Sequence, residues 1–374
     1  MKRPSILAFF DHFYPSVKSG GPAKSALGFA ELLADAYDLT IVTRNHDFGD
    51  SIPYPSVVAN TRTTFPNFGV YYLDWQGFSL VEHLIKQKPD FIYLNSFFSS
   101  DFTIKPLLKL KGIRGASKIV LAPRGELAPS ALQKSWWKKK VYSTIYPLLE
   151  GNITYQASSE QEAENILDFL PGRRVVVAPN LRPPSDLSQL AVILPKEKGR
   201  LRVCLIARIH PIKNIHQAIA WVLKVNSNQL EFDIYGFPED AIYLEKCRKL
   251  AADSGGTIRL LPGLSTSEVV ETLARYHLFF LPTLGENFGH SILEAFIASR
   301  PVLISDQTPW KGLLKSQAGL DAPLKEKEMR EGLAFFLNMG NEEYQQWCTQ
   351  ARAKAVSFFE EQQNLKPYFD LFKF

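Results

Sequence analysis

The sequence predicts an α/β protein made of two doubly wound parallel sheets. Three observations carry this expectation. Short runs of β-branched and aromatic residues alternate with longer stretches of helical period, the pattern of parallel strands joined by crossover helices. The alternation runs twice along the chain, on either side of a proline-bearing interval from 179 to 199 that keeps neither period and reads as an interdomain linker. The chain has 374 residues, which at about 100 to 200 per domain is enough for two hydrophobic cores.

In chain order, the first strand is expected at 5–10, where the apolar run following Lys2 and Arg3 is cut by Asp11 and His12 before it reaches the length of a signal-peptide core. Further strands are expected at 38–43, 70–73, 91–95, 118–122, 153–156 and 175–178, each a short apolar or β-branched run. Helical period places helices between them at 22–35, 80–86, 102–110, 132–149 and 160–169. Beyond the interval, strands are expected at 203–207, 232–235, 257–260, 278–281 and 302–304, with helices starting near Lys213, Asp240, Ser267, Gly289 and Lys325. The last forty residues are helical in composition and end in an aromatic-rich tail that should dock on a core. These elements divide into domains at 1–182 and 183–355, with 356–374 packing back on the first.

Composition narrows the class. With 45% hydrophobic and 22% charged residues, the chain is neither disordered nor fibrous. Cys204, Cys247 and Cys348 stand more than 40 positions apart, which gives no disulfide framework and no Cys-x-x-Cys knuckle, and points to a reducing, cytoplasmic setting. No window approaches the ~20 apolar residues of a membrane span. The net charge of +5 is mild but uneven: residues 105–140 hold ten Lys or Arg against one acid, Glu126. That stretch ends in Trp136, Trp137, Lys138, Lys139 and Lys140, a composition suited to the headgroup layer of an anionic membrane, such as the inner face of the plasma membrane. A solvated basic face with both tryptophans in the core would give the same composition.

The most informative segment runs from Leu281 to Phe296: a strand end, a glycine-containing loop, and a helix starting near Gly289. Free N–H groups at such a helix start favour a phosphate or diphosphate, and Gly289 lets an anion approach the main chain. Glu286 and Glu294 flank that point and could hold hydroxyl groups on either side of a diphosphate; equally, Glu286 could cap the helix and Glu294 face solvent. Arg208 and Lys213 fall at the carboxyl end of the first strand of the second half, where a guanidinium and an ammonium would neutralise a departing diphosphate. Gly20 and Gly21, ahead of Pro22, occupy the equivalent turn of the first half. Tyr235 with Gly236, and Leu261 with Pro262, lie at or just past the ends of two further strands. The chain has no Walker or Gly-x-Gly-x-x-Gly signature, no Asp-x-Asp pair and no histidine cluster at metal-ligand spacing.

Together, Gly20-Gly21, Arg208 with Lys213 five positions on, Pro282, and Glu286 eight positions before Glu294 resemble glycosyltransferase family 4. These are retaining, nucleotide-sugar-dependent enzymes of the glycosyltransferase-B fold: two Rossmann-like domains facing a cleft, with a C-terminal helix returning to the first. The resemblance covers nearly the whole chain and is strongest from about 201 to 310. It implies that Glu286 contacts hydroxyls of the donor sugar and Glu294 the ribose. Arg208 and Lys213 would bind the diphosphate with the backbone N–H groups of Phe288, Gly289 and His290 and the Gly20-Gly21 loop. Arg208, Lys213 and Glu286 would then be the catalytic set, with Tyr235, Gly236, Leu261 and Pro262 lining the base pocket. The implied donor is a nucleotide sugar, UDP-linked in preference to GDP-linked, used without a metal or other cofactor. The acceptor would be a glycan or a lipid-linked glycan of bacterial surface polysaccharide or lipopolysaccharide synthesis, and no nucleic acid is expected as a partner.

Two departures from the family pattern stand out. Leu181 and Arg182 replace the small residues usual after Pro179-Asn180, and Arg124 and Glu126 occupy the neighbourhood of a histidine that many members place near the reacting sugar. Arg124 and Glu126 could shape an acceptor pocket, or form an internal ion pair. Two other functions fit the same fold: a nucleotide-sugar epimerase, for which the acid and base residues are wanting, and a non-catalytic scaffold that binds anions or a membrane through the 105–140 face.

Overall fold

The computed structural model describes residues 3–74, 76–111, 117–133, 153–188, 193–225, 227 and 229–373. They divide into two compact units, Met1–Pro183 with Gln362–Phe374, and Pro184–Glu361.

The strands of the first unit are β1 (Ser5–Phe10), β2 (Asp38–Arg44), β3 (Arg62–Thr64), β4 (Phe68–Leu73), β5 (Phe91–Asn95), β6 (Lys118–Leu121), β7 (Ile153–Ala157) and β8 (Arg174–Val177). They form one sheet in the order β3-β4-β2-β1-β5-β6-β7-β8, parallel throughout except for β3 against β4. The second unit carries β9 (Leu201–Ile206), β10 (Leu230–Tyr235), β11 (Ile258–Leu261), β12 (Leu278–Leu281), β13 (Val302–Ser305) and β14 (Gly319–Ala322) in the order β11-β10-β9-β12-β13-β14, all parallel. Central strands of such sheets are covered on both faces, so they read as unbroken apolar runs. β12 and β13 are buried at every position, and β1 at all but its first. Helix starts are set locally: the side chain of Ser159 accepts the N–H of Glu162 ahead of Glu160–Phe169, and that of Asp240 accepts the N–H of Tyr243 ahead of Ala241–Ala252.

In each sheet the strand order reverses once, between β1 and β5 in the first and between β9 and β12 in the second. Loops leaving the carboxyl ends of those strands diverge to opposite faces and open a crevice, which is where open α/β sheets bind ligands.

The interval 179–199, expected as an interdomain linker, holds the boundary between the units, and several of its described residues are packed: Asn180, Leu181 and Arg182 are buried, Arg182 completely, and Lys196 is buried in the second unit with its ammonium donating to the carbonyls of Glu197, Leu337 and Met339. The amide of Gln362 brackets Arg182, accepting its N–H and donating to its carbonyl, both at 3.0 Å. Helix Gly21–Leu33 meets the same backbone at Gly28, where a Cβ would lie 2.6 Å from Arg182. The long helix expected at 132–149 is described only as Pro129–Gln133; its remainder, with Trp136, Trp137, Lys138, Lys139 and Lys140, lies outside the described residues. The aromatic tail does dock on the first unit: helix Lys366–Leu371 buries Tyr368 and Leu371, and Phe372 packs edge-on against Phe29, Tyr37 and Phe91.

In the second unit His277 is held neutral. Its Nδ1 accepts the N–H of Arg202 at 3.0 Å and its Nε2 faces the carbonyl of Pro195 at 3.2 Å. Burial is the main cause of a pKa lowered from 6.5 to about 4. Between those values the unfolded chain takes up a proton that the folded unit refuses, so stability falls as pH drops through that window, by at most about 3 kcal/mol at its acid end. Melting temperature measured from pH 7.5 to 4.5 should decline accordingly, and His277→Gln, which keeps an acceptor and a donor but does not titrate, should flatten the decline.

Candidate functional site

In the second unit the loops after β9 and β12 meet at the strand-order reversal. Thr283, fully buried just beyond β12, ties them: its Oγ1 donates to the carbonyl of Ile212 at 3.0 Å, and Leu284 N–H donates to the same carbonyl at 2.8 Å. Ser305 at the end of β13 donates to the carbonyl of Thr283 at 2.6 Å, and Glu286 N–H to the carbonyl of Gln307 at 3.0 Å. On the β9 side, His210 Nδ1 accepts the N–H of Ile212, and Asn214 turns the chain in the left-handed region, φ 57°, into helix Ile215–Leu223.

This framework brings Lys213 and Glu286 into an ion pair, each side chain only 13% exposed. Residues 73 positions apart in sequence thus share one point at the crevice. Gly289 follows at φ 80°, where a Cβ would lie 2.7 Å from Ile292, and its place at the start of helix His290–Ile297 leaves that start without a side-chain cap. Phe288 is buried, its carbonyl accepting Trp310 Nε1–H at 2.6 Å. Glu294 is 6% exposed on that helix, so it is not the solvent-facing residue that the sequence left open. Arg208 is different: half exposed, it pairs with Glu239 beyond β10 at 2.7 Å. Both cations are therefore held by carboxylates, Lys213 in a sheltered pair and Arg208 in one that solvent screens and that is released at little cost.

The positions expected at a base pocket fall at the ends of β10 and β11. Tyr235 turns its hydroxyl to that of Tyr276 at 2.7 Å, and Tyr276 donates in turn to Asp233. Gly236 has no room for a side chain, since a Cβ would lie 2.0 Å from the carbonyl oxygen of Ala207. The ring of Phe237 lies over Gly263, just past Leu261 and Pro262.

The first unit has its own set of polar loops. Gly20, φ 60°, precedes helix Gly21–Leu33 with open space where a side chain would stand. The turn before it is fixed by Asp47, which accepts the hydroxyl of Ser16 and the N–H groups of Val17 and Lys18. Burial opposes the charge of that carboxylate, but the hydrogen bonds prevail and hold its pKa below the ordinary value. Beyond β6, Arg124 sits at φ 57° and does not pair with Glu126. Its guanidinium donates to Asn95 Oδ1 at 2.6 Å, to Asn180 and to the hydroxyl of Tyr93. Glu126 accepts the N–H groups of Phe97 and Phe98 and the hydroxyl of Ser96, and burial raises its pKa against those bonds. Directly after β1, Asp11 accepts from Arg44 at 2.5 Å and from Ser99 at 3.0 Å.

Sequence reasoning singled out Arg208, Lys213, Glu286 and Glu294 but not Thr283, Ser305, Glu239 or Asp11. Thr283 and Ser305 had one usable signal: each is a polar residue ending or closely following a fully apolar strand.

The architecture is the glycosyltransferase-B fold, two Rossmann-like parallel-sheet units with a C-terminal helix on the first. Residues 189–354 match the family model described as glycosyl transferases group 1. Over 96% of this chain and 99% of the other, it is similar to WaaG, a glycosyltransferase involved in lipopolysaccharide biosynthesis, at 14% identity and TM-score 0.65. It is similar at 12% identity and TM-score 0.73 to the trehalose-6-phosphate synthase OtsA, over 99% of both chains. A UDP-forming α,α-trehalose-phosphate synthase from Burkholderia xenovorans, solved with glucose-6-phosphate, aligns over 98% of this chain and all of its own at 12% identity and TM-score 0.65. No curated protein matches the chain.

Proposed function

We propose that the protein is a retaining glycosyltransferase that moves a sugar from a nucleoside-diphosphate sugar to a glycan or lipid-linked acceptor in bacterial cell-surface polysaccharide synthesis. The observation that carries this reading is the Lys213–Glu286 pair at the strand-order reversal, beside the uncapped helix start at Gly289. A diphosphate there would meet helix N–H groups and draw Lys213 and Arg208 away from their carboxylates. Glu286, so released, would accept hydroxyls of the donor sugar, and Glu294 those of the ribose.

As the diphosphate leaves, the sugar passes through an oxocarbenium-like state, and the extra charge on the leaving oxygen is met by the two cations and the helix dipole. The acceptor hydroxyl attacks from the same face, passing its proton to a leaving-group oxygen. Charge neutralisation by side chains and backbone is what would make a metal unnecessary. A uridine nucleotide is favoured because one similar structure is a UDP-forming synthase, and the surface-polysaccharide role because another takes part in lipopolysaccharide biosynthesis. No described helix is long and apolar enough to cross a membrane. The membrane contact proposed for residues 136–140 would be peripheral, at the inner face of the plasma membrane.

A thermal-shift panel of UDP, GDP, ADP and their sugars, in EDTA and then with magnesium, tests the reading. A uridine nucleotide at about 100 times its Kd should stabilise by ~2.7 kcal/mol without metal. A shift that appears only with magnesium would remove metal independence, and no shift with any nucleotide would sink the transferase reading in favour of a non-catalytic scaffold.

A further inference from the structure

We propose that Asp11 is an acceptor-binding residue, whose carboxylate receives a hydroxyl of an acceptor sugar that bears no phosphate at that point. The proposal rests on the transferase reading above and deepens it on the acceptor side. Asp11 follows β1 directly, and the strand order of the first sheet reverses between β1 and β5, so the residue stands at that sheet's own ligand crevice.

Two side chains, one from the end of β2 and one from the loop after β5, converge on this carboxylate. Arg44, the last residue of β2, donates from Nη2 to Asp11 Oδ1 at 2.5 Å and from Nε to the Asp11 carbonyl at 2.8 Å. Ser99, in the loop after β5, donates to the same Oδ1 at 3.0 Å. The other oxygen, Oδ2, accepts no hydrogen bond among the described residues, and the side chain is 27% exposed. One oxygen fixes the group and the other stands open. A carboxylate held in this way offers unused lone pairs in a set direction, and it reads a sugar hydroxyl without first having to be ordered.

The charges around it select against a phosphate. Arg44 is committed to Asp11 twice and lies over the ring of Phe102, 5.5 Å from its centroid. Arg124 is spent on Tyr93, Asn95 and Asn180 in the interior. Asp101 and Glu126 act on Asp11 as like charges. A phosphate brought to Oδ2 would meet the charge of Asp11 itself beside Asp101 and Glu126, with Arg44 and Arg124, among the described residues, already engaged, whereas a neutral hydroxyl would be accepted.

The test is transfer from the donor that the nucleotide panel identifies to octyl glucoside, galactoside, mannoside and glucosaminide, and to the 6-phosphates of the same four. At least one unphosphorylated glycoside should be used, with kcat/KM about tenfold or more above that of its 6-phosphate. Asp11→Asn should raise the acceptor KM on the order of tenfold, as expected for losing a hydrogen bond to a charged group, while donor Kd stays within about twofold. Ser99→Ala, which loosens the carboxylate without removing it, should raise acceptor KM by a smaller factor and serves if Asp11→Asn lowers the melting temperature. A 6-phosphate used as well as its parent overturns the proposal, as does an acceptor KM unmoved by Asp11→Asn and Ser99→Ala. Transfer to none of the eight by protein that still binds donor also overturns it, whereas failure of the wild type to bind any nucleotide is a failure of the transferase reading instead.

Discussion

Lys213→Ala is expected to lower turnover on the order of a hundredfold or more. Removing one preorganised donor to developing charge costs ~2.7 to 4 kcal/mol in a transition state, and Lys213 is the sheltered one of the two cations at the crevice. The loss should fall mainly on kcat, because the charge that Lys213 meets grows as the diphosphate departs. The substitution also strips Glu286 of its ion-pair partner at 13% exposure. Glu286→Gln alone should therefore cost activity too, and the double variant should cost less than the sum of the two, since the residues act as a pair. Steady-state rates of the four proteins on one donor and acceptor check this, with melting temperatures to confirm folding. Independent, additive losses would mean that the pair is not a unit in the reaction.

Arg124→Met is expected to destabilise the first unit by about 3 kcal/mol. The guanidinium supplies donors to Tyr93, Asn95 and Asn180, and each interior acceptor left without one costs ~1 to 3 kcal/mol, partly offset by no longer holding a cation away from water. Damage should spread along a defined route. Tyr93 donates to Gln156, Gln156 to Tyr368 and to the carbonyl of Ala178, and Tyr368 to the carbonyl of Pro179. Two-state analysis of a two-unit chain is unsafe, so hydrogen exchange is the measurement, with faster exchange expected at Ala178 and Phe372 and no change in β12. Arg124→Lys, which keeps charge but not the three-way fork, should recover only part of the protection. Equal recovery would mean that charge, not geometry, holds this network.

The interior of both sheets was legible because burial on two faces demands it. β12 coincides with its unbroken apolar run, and β1 and β5 each exceed theirs by one polar residue, Ser5 and Asn95. β3 and β14 escaped notice for the converse reason: both are short edge strands, Arg62–Thr64 and Gly319–Ala322, with polar or small residues where one side meets solvent. The residues proposed for the donor side were legible as residue types at spacings, but their pairings were not. Nothing in sequence joins Lys213 to Glu286 or Arg208 to Glu239, because those contacts depend on strand order. Asp11 read only as the end of an apolar run; its importance comes from Arg44 and Ser99, 33 and 88 positions away. Arg124 and Glu126 left an ion pair open, and the answer turned on the neutral acceptors that encircle Arg124.

The tail has a consequence for how the chain is made. Tyr368, Leu371 and Phe372 complete the first unit's core, yet a ribosome delivers them only after the whole second unit. Domains commonly fold in the order of their synthesis. Here the second unit can close first while the earlier one waits, with Phe29, Tyr37 and Phe91 lacking the aromatic cover that Phe372 provides. A chain lacking everything from Gln362 onward would thus expose apolar surface on its earliest-made part, and that surface would mark it for chaperones and proteases.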